Sequence, residues 1–358
     1  MRESRHHGHA QNGFARFHGR TGRGRAPGPP PAAGAAESSG RGSGRRTVAL
    51  RDGWRFALVN PGGITDPTGE YAEAAAPGYD DSEWREIAVP HDWSIELAPT
   101  PQNGTTSGTG FFPGGLGWYR LAFTLPAALA GKRISVEFDG VSMDAYVYCN
   151  GTEAGRHPYG CTGFALDLTD LLHTDGTTEN VIAVKVRNRL PSSRWYSGSG
   201  IYREARLVVT DPVHVERWGT RVTTLELTEE RGLVRVATSV VNASGTGTGV
   251  EVVTRIVDPR GRTVARVSST VAVTGRVTET HELTVPEPKV WDLGTPRHRY
   301  TVRTELRVGG TTTDTYNTPF GFRAFRFDVD EGFHLNGTYH SRWASTPSAP
   351  PTTRPPRR

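Results

Sequence analysis

From residue 47 onward the chain alternates apolar and polar positions in short runs broken by Gly, Pro, Asn and Asp. This is the period-two signature of half-buried antiparallel strands, and no stretch sustains the 3.6-residue period of a helix over three turns. The clearest runs in the first part are 134–138, 145–149, 181–186 and 205–209, each rich in Val, Ile, Leu or aromatic residues. Asn150 and Gly151 directly follow the second of them. That dipeptide favours the positive φ angles of a two-residue hairpin turn, so the chain is expected to reverse there. After Asp211 comes Pro212, which favours extended backbone in the residue before it and marks a boundary. Beyond it the runs 213–217, 233–241, 250–257, 263–273, 281–285 and 300–308, separated by turn signals, predict an immunoglobulin-like β-sandwich. Trp291, just past Pro286 and Pro288, is read as an aromatic cap on that sandwich. Residues 320–329 and 332–337 look like a strand pair opening a third unit.

The fold class is therefore all-β, with two β-sandwiches between ends of different texture. Apolar residues make up 35% of the 358, low for a wholly globular chain. The shortfall sits at the ends. Residues 1–46 are rich in Gly, Pro, Ala and Ser with nine Arg against two Glu, and residues 338–358 carry four Arg and no acid. Both are expected to be disordered, and the divisions read as 1–46, 47–212, 213–324 and 325–358. The formal charge of +5 would suggest a polyanionic partner, but residues 47–337 hold 29 basic against 35 acidic side chains. The folded part is mildly acidic, so no nucleic acid is expected as a partner. No run approaches 18 apolar residues, so no membrane is expected either. Arg45 and Arg46 are followed by Asp52 before any apolar leader segment can form, and a cytoplasmic location is expected. Cys149 and Cys161 suggest two buried free thiols rather than a metal site or a disulfide framework. No cofactor and no metal are expected.

A series of short strings, in order along the chain, is more specific than the pattern. They are WRF at 54–56, GYDDSEW at 78–84, VPHDW at 89–93, GWYR at 117–120, FDGV at 138–141, YCNG at 148–151, HPYG at 157–160, NVIAV at 180–184 and SRWYSGSGIYR at 193–203. Together they resemble the opening of glycoside hydrolase family 2, closer to its β-galactosidases than to its β-glucuronidases. The resemblance implies a jelly-roll sugar-binding domain over 50–212 and an immunoglobulin-like domain over 213–324, leaving through Phe320 to Arg323. It also implies that 332–337 form the hairpin that leads into the (β/α)₈ catalytic barrel. In the family, barrel sequence follows; here Tyr339 and His340 are followed by a Pro/Arg/Thr-rich tail. The expectation is a truncated opening to the barrel, with a frameshift or a mis-assigned gene end as its cause.

Retaining glycosidases need two carboxyl groups about 5 Å apart, one a nucleophile and one an acid/base. The resemblance places both glutamates in the barrel, the acid/base directly after an Asn, and the chain contains no Asn-Glu pair. Asp92, Glu96, Asp139 and Asp144 fall on separate β elements and make no substitute pair. No catalytic residue is assigned, and the chain alone is expected not to hydrolyse glycosides. The resemblance does imply substrate contacts from the first domain: Asp92 in the PHDW segment, and Arg194 and Trp195 in the loop before Ser197. A carboxylate accepts hydrogen bonds from vicinal hydroxyls, a guanidinium donates from a planar fork, and an indole offers a flat apolar face to a sugar ring.

Each of these has a purely structural alternative. Asp92 can cap a turn, Arg194 can pair with an acid such as Asp92, and Trp93, Trp118 and Trp195 can be core. His91 reads as a hydrogen-bonded loop residue. The glycine-rich 197–200 lacks the Lys and following helix of a phosphate loop. The leading expectation is the structural and substrate-shaping front of a β-galactosidase-like hydrolase, with a weakly bound β-galactoside-type carbohydrate as partner. A free-standing carbohydrate-binding module, or an interaction module that docks a separate catalytic barrel, are the alternatives.

Overall fold

The computed structural model describes residues 44–102, 104–191, 198–295 and 298–340. The sequence-predicted disorder of residues 1–43 and 341–358 lies outside the described residues. Two arginines assigned to the head are nonetheless part of the fold. Arg46 opens the first strand, and Arg45 hydrogen-bonds Asp314 across 269 residues of sequence.

The first sandwich is built from β1 (Arg46–Ala49), β2 (Trp54–Pro61), β3 (Arg85–Ile87), β4 (Gly115–Thr124), β5 (Arg133–Phe138), β6 (Ala145–Cys149), β7 (Thr152–His157), β8 (Phe164–Asp167), β9 (Glu179–Asn188) and β10 (Ala205–Thr210). A six-stranded sheet in the order β3-β2-β4-β9-β6-β7 faces a four-stranded sheet β1-β10-β5-β8. The four strands read most clearly from the alternation are β5, β6, β9 and β10. The expected reversal is present: Cys149 pairs with Thr152, with φ +49 at Asn150 and +83 at Gly151. Between the sheets lie Trp54, Trp93, Tyr119, Phe138 and Val147, all fully buried. Trp93 and Trp118 are thus packing residues. Cys149 is buried as expected, but Cys161 is exposed, because it falls in the loop after β7 rather than on a strand facing the core.

β4 departs from alternation, with seven consecutive buried residues from Gly115. Its outer face is covered by the segment between β2 and β3. Trp118 packs there with Trp84 and Ala74. Arg120 donates from Nε to Asp81 (2.7 Å) and from Nη1 to the carbonyls of Ala74 (2.6 Å) and Ala76 (3.0 Å), so the buried guanidinium is satisfied by the backbone it holds down.

The second sandwich comprises β11 (Val213–Leu227), β12 (Arg231–Asn242), β13 (Thr248–Val257), β14 (Thr263–Val273), β15 (Gly275–Pro286), β16 (Tyr300–Val308) and β17 (Thr311–Phe320). Sheet β11-β12-β15 packs on sheet β14-β13-β16-β17. Six strands are expected from the alternation, and the described residues contain seven. β17 escapes notice because its inward position is Asp314, a charged residue that is fully buried. Trp291 lies against the end of this sandwich, where its backbone N–H donates to Phe322 and the Arg323 guanidinium lies over its ring. A meander of β18 (Phe325–Asp328), β19 (Gly332–Leu335) and β20 (Thr338–His340) follows. Among the described residues the helices are short 3₁₀ turns, and none is long and apolar enough to cross a membrane.

Three histidines are held in environments that disfavour charge. His91, His214 and His281 are each lowered below 6.5, in every case chiefly by burial. His281 shows how the neutral ring is accommodated: Nδ1 faces the Thr254 hydroxyl at 2.9 Å and Nε2 faces Ser269 Oγ at 2.8 Å, between the two sheets. A depressed histidine binds more protons unfolded than folded at mildly acid pH. Its contribution is therefore complete above the unfolded value of about 6.5 and is lost as pH falls below it. Buried carboxylates such as Glu305 are lowered instead, so their contribution is lost at lower pH still. Thermal denaturation should show a plateau above neutrality and a decline that begins between pH 6.5 and 5; a midpoint constant from pH 7.5 to 5 would refute this assignment.

Candidate functional site

The site grows from two strings brought side by side. The His91 N–H donates to the Ile201 carbonyl (2.8 Å), and the Trp93 N–H donates to the Ser199 carbonyl (3.2 Å). Residues 91–93 are thereby fastened to 199–201. Asp92 sits between these two bonds, at the N-cap of a 3₁₀ turn over Trp93–Glu96. Its Oδ1 accepts from the backbone N–H of Ser94 (3.0 Å) and of Ser199 (2.9 Å). The capping alternative is therefore realised. One oxygen ties both strings together, and the carboxylate is partly exposed. The sequence-predicted contacts Arg194 and Trp195 lie outside the described residues.

A buried chain of hydroxyls holds residues 198 and 199. Asn188, the last residue of β9, donates from Nδ2 to Ser199 Oγ (2.6 Å) and to the Gly198 carbonyl (3.0 Å). Ser199 Oγ lies 2.6 Å from Ser94 Oγ, which lies 2.6 Å from the Pro113 carbonyl. A carbonyl only accepts, so the proton order is fixed: Asn188 to Ser199, Ser199 to Ser94, Ser94 to Pro113. Neither Asn188 nor Ser94 stands out in the sequence, since isolated Asn and Ser residues carry no spacing signal.

The glycines of the 197–200 run have a conformational explanation, not a phosphate-binding one. Gly198 and Gly200 have φ of +78 and +105. A Cβ on Gly198 would lie 3.1 Å from Asp92 Oδ2, and one on Gly200 would run into the Tyr119 hydroxyl.

His91 completes the surroundings. Its Nδ1 lies 2.8 Å from the Tyr119 hydroxyl, and its Nε2 lies 3.2 Å from Glu96 Oε1 and 3.1 Å from Arg85 Nη2. It is a hydrogen-bonded packing residue, stacked edge-on to Phe56 at 4.6 Å. Burial alone would raise Glu96, but the Arg85 hydrogen bond and the neighbouring His91 outweigh it and leave the group lowered. Asp139 is lowered too, first by its hydrogen bonds from Arg206. Asp144 accepts from Arg156 (2.6 Å) and Arg187 (2.9 Å). Wherever a carboxyl group of the described residues departs from its ordinary range, it is lowered. A glycosidase acid/base needs the opposite shift. Among the described residues no three His, Cys, Asp or Glu side chains converge as metal ligands would.

Two models of one family match the chain: the sugar binding domain of glycosyl hydrolases family 2 over residues 49–211, and glycosyl hydrolases family 2 over 213–323. Among curated proteins, the chain is similar to Beta-galactosidase BoGH2A of Bacteroides ovatus, 42% identical over 307 residues, which are 85% of this chain and 34% of that protein. A beta-glucuronidase of Formosa agariphila is 30% identical over 319 residues, covering 82% of this chain and 31% of its own length. Among solved structures, a glycosyl hydrolase family 2 member from Bacteroides cellulosilyticus superposes with a TM-score of 0.73 at 37% identity, covering 82% of this chain and 37% of that one. The chain spans about a third of the length of the relatives it matches.

Proposed function

Because the chain belongs to glycosyl hydrolase family 2, of which it carries the N-terminal domains, we propose that it is the carbohydrate-recognising front of a β-galactosidase-type hydrolase. In this reading Asp92, Arg194 and Trp195 are its sugar contacts, and glycoside hydrolysis requires carboxylates beyond these 358 residues. One observation supports it most: residues 91–93 are fastened to 199–201, so the Asp92 carboxylate is held beside Gly198 and Ser199, a few residues along the sequence from Arg194 and Trp195. The carboxylate is suited to sugar hydroxyls, the guanidinium to a second polar edge, and the indole to a ring face.

A second reading, a module that docks a separately encoded barrel, draws on the meander β18–β20. Phe325 and Phe327, 63% and 59% exposed, lie on one face of the meander beside Phe333, an apolar face suited to a protein partner.

Saturation-transfer NMR with methyl β-galactoside tests the leading reading. Binding is expected only at millimolar sugar, weakened about tenfold or more by Asp92→Asn, the range for hydrogen bonds to a charged group, and likewise by Trp195→Ala. Asp92→Asn keeps the Oδ1 acceptor of the cap, and an unchanged thermal midpoint beside a loss of binding separates the sugar contact from unfolding. Nitrophenyl β-galactoside should not be turned over by the chain alone. Binding unchanged in both variants would overturn the reading.

A further inference from the structure

A cleft lies at the seam between the two sandwiches and reaches the Asp92 segment at Pro90, without the Asp92 side chain in its lining. It is open, about 480 Å³ in volume, and is lined by Pro90, Asp139, Tyr202, Arg203 and Glu204 of the first sandwich and Trp218 of the second. Trp218 is 69% exposed, unusual for so large an apolar ring. Its backbone φ is +56, a region bulky residues rarely occupy. The cause is a bulge: the β11–β12 register is regular to Val215 and resumes at Thr220, so Trp218 is displaced from the ladder. Gly219 makes the tight path possible, since a Cβ there would lie 2.8 Å from the Glu216 carbonyl oxygen. The Trp218 N–H is satisfied by the Tyr316 hydroxyl at 3.0 Å. Strained backbone around an exposed aromatic is a feature the fold retains at a cost, and such features gather at binding sites.

One face of the ring is covered by a cation. The Arg217 guanidinium lies 3.8 Å from its centroid, and Arg217 in turn sits below the cleft, its Nη2 within 3.4 Å of where a Cβ on Gly163 would project. With one face covered, Trp218 remains 69% exposed and lines the cleft. A rigid platform of this kind binds with little loss of side-chain entropy.

We infer that this seam cleft is a second carbohydrate subsite, in which a pyranose ring stacks on Trp218 and its hydroxyls reach the charged rim. The rim supplies both hydrogen-bonding polarities. The Asp139 carboxylate, oriented by two 2.8 Å bonds from Arg206, accepts, as does the half-buried Glu204, whose Oε1 is held by Arg51 at 2.7 Å; Arg203, stacked 5.3 Å from the Tyr202 ring centroid, donates. A protein-docking hot spot would instead surround the indole with apolar side chains. Here the indole shares the cleft with Pro90 and Tyr202 on one hand and with Asp139, Arg203 and Glu204 on the other, the mixed apolar and charged lining that the C–H faces and hydroxyls of a pyranose need. The inference is independent of the Asp92 reading and extends carbohydrate recognition to the second sandwich.

The test is saturation-transfer NMR with a β-linked galactotetraose as probe. Trp218→Gly is the decisive variant, because glycine relaxes the +56 backbone while deleting the platform, so the fold should be kept and its thermal midpoint should not fall. Transfer to the tetraose is expected in the unaltered chain, reduced at least fivefold in Trp218→Gly, and largely kept in Asp92→Asn. Arg203→Ala, a surface change, should also weaken it. No transfer at millimolar probe, transfer unchanged in Trp218→Gly, or transfer abolished by Asp92→Asn would each overturn the inference. Failure of the Asp92 reading shows separately, in methyl β-galactoside binding that neither Asp92→Asn nor Trp195→Ala alters.

Discussion

Gly200→Ala is expected to destabilise the first sandwich by about 2–5 kcal/mol, summing the cost of a left-handed alanine with that of an overpacked core. The backbone φ of +105 at this residue is one that a Cβ disfavours. The added carbon would also meet the Tyr119 hydroxyl, the His91 carbonyl oxygen at 3.0 Å and the Trp93 ring at 3.1 Å. None of these can easily withdraw. Tyr119 is fully buried between Trp54, Phe56 and Trp93, and its hydroxyl is committed to His91. The Gly200 backbone is itself tied on both sides to Ser142, by bonds of 2.7 and 2.9 Å. Denaturant unfolding measures the loss, and a change under about 1 kcal/mol would show that the site yields where the packing says it cannot. Adding Tyr119→Phe removes the atom struck first, so the double variant should recover part of the loss if the clash is its origin. The same substitution should impair sugar binding beyond its effect on stability, because it displaces Ser199, whose N–H holds Asp92.

How far the sequence was legible follows from where its signals are local. Alternation and the Asn150-Gly151 turn depend on neighbours in the chain, and β5, β6, β9, β10 and the β6–β7 hairpin stand where they are expected. Partnerships distant in sequence leave no such trace. Asp314 makes β17 look polar because its partner Arg45 lies at the other end of the chain, in a segment whose composition suggests disorder. Strand β11 reads as ending at Arg217, yet it continues to Leu227 through the bulge that sets Trp218. In the candidate site, the ordered strings point to Asp92 and to the loop after Pro191. The hydroxyl chain through Asn188, Ser199 and Ser94 depends on three elements meeting in space, and no spacing in the sequence announces it.

Asp314→Ala is expected to cost about 3–5 kcal/mol, the range for removing one partner of a buried ion pair. The carboxylate is fully buried on β17. Its Oδ2 accepts from the Val215 N–H at 2.7 Å and from Arg45 Nη2 at 3.1 Å, and its Oδ1 accepts from Arg45 Nε at 3.3 Å. Arg45 also donates to the Val215 carbonyl at 2.5 Å and stacks 4.8 Å from the Tyr316 ring centroid. The residue just before β1 of the first sandwich is thereby fixed to β11 and β17 of the second. Alanine would strand a buried N–H and a mostly buried guanidinium together, and each loses more than a neutral hydrogen bond would. Arg45→Met should cost less, because Asp314 keeps the Val215 N–H and methionine retains part of the packing on Tyr316. In the double variant no uncompensated charge remains, so its loss should fall short of the sum by about 1–3 kcal/mol, as expected for residues in direct contact. Urea unfolding of the four proteins gives this coupling, and limited proteolysis should show cleavage near residue 45 rising only in the variants. Additive losses, or an Asp314→Ala loss below about 1 kcal/mol, would mean that the two sandwiches are joined by packing alone.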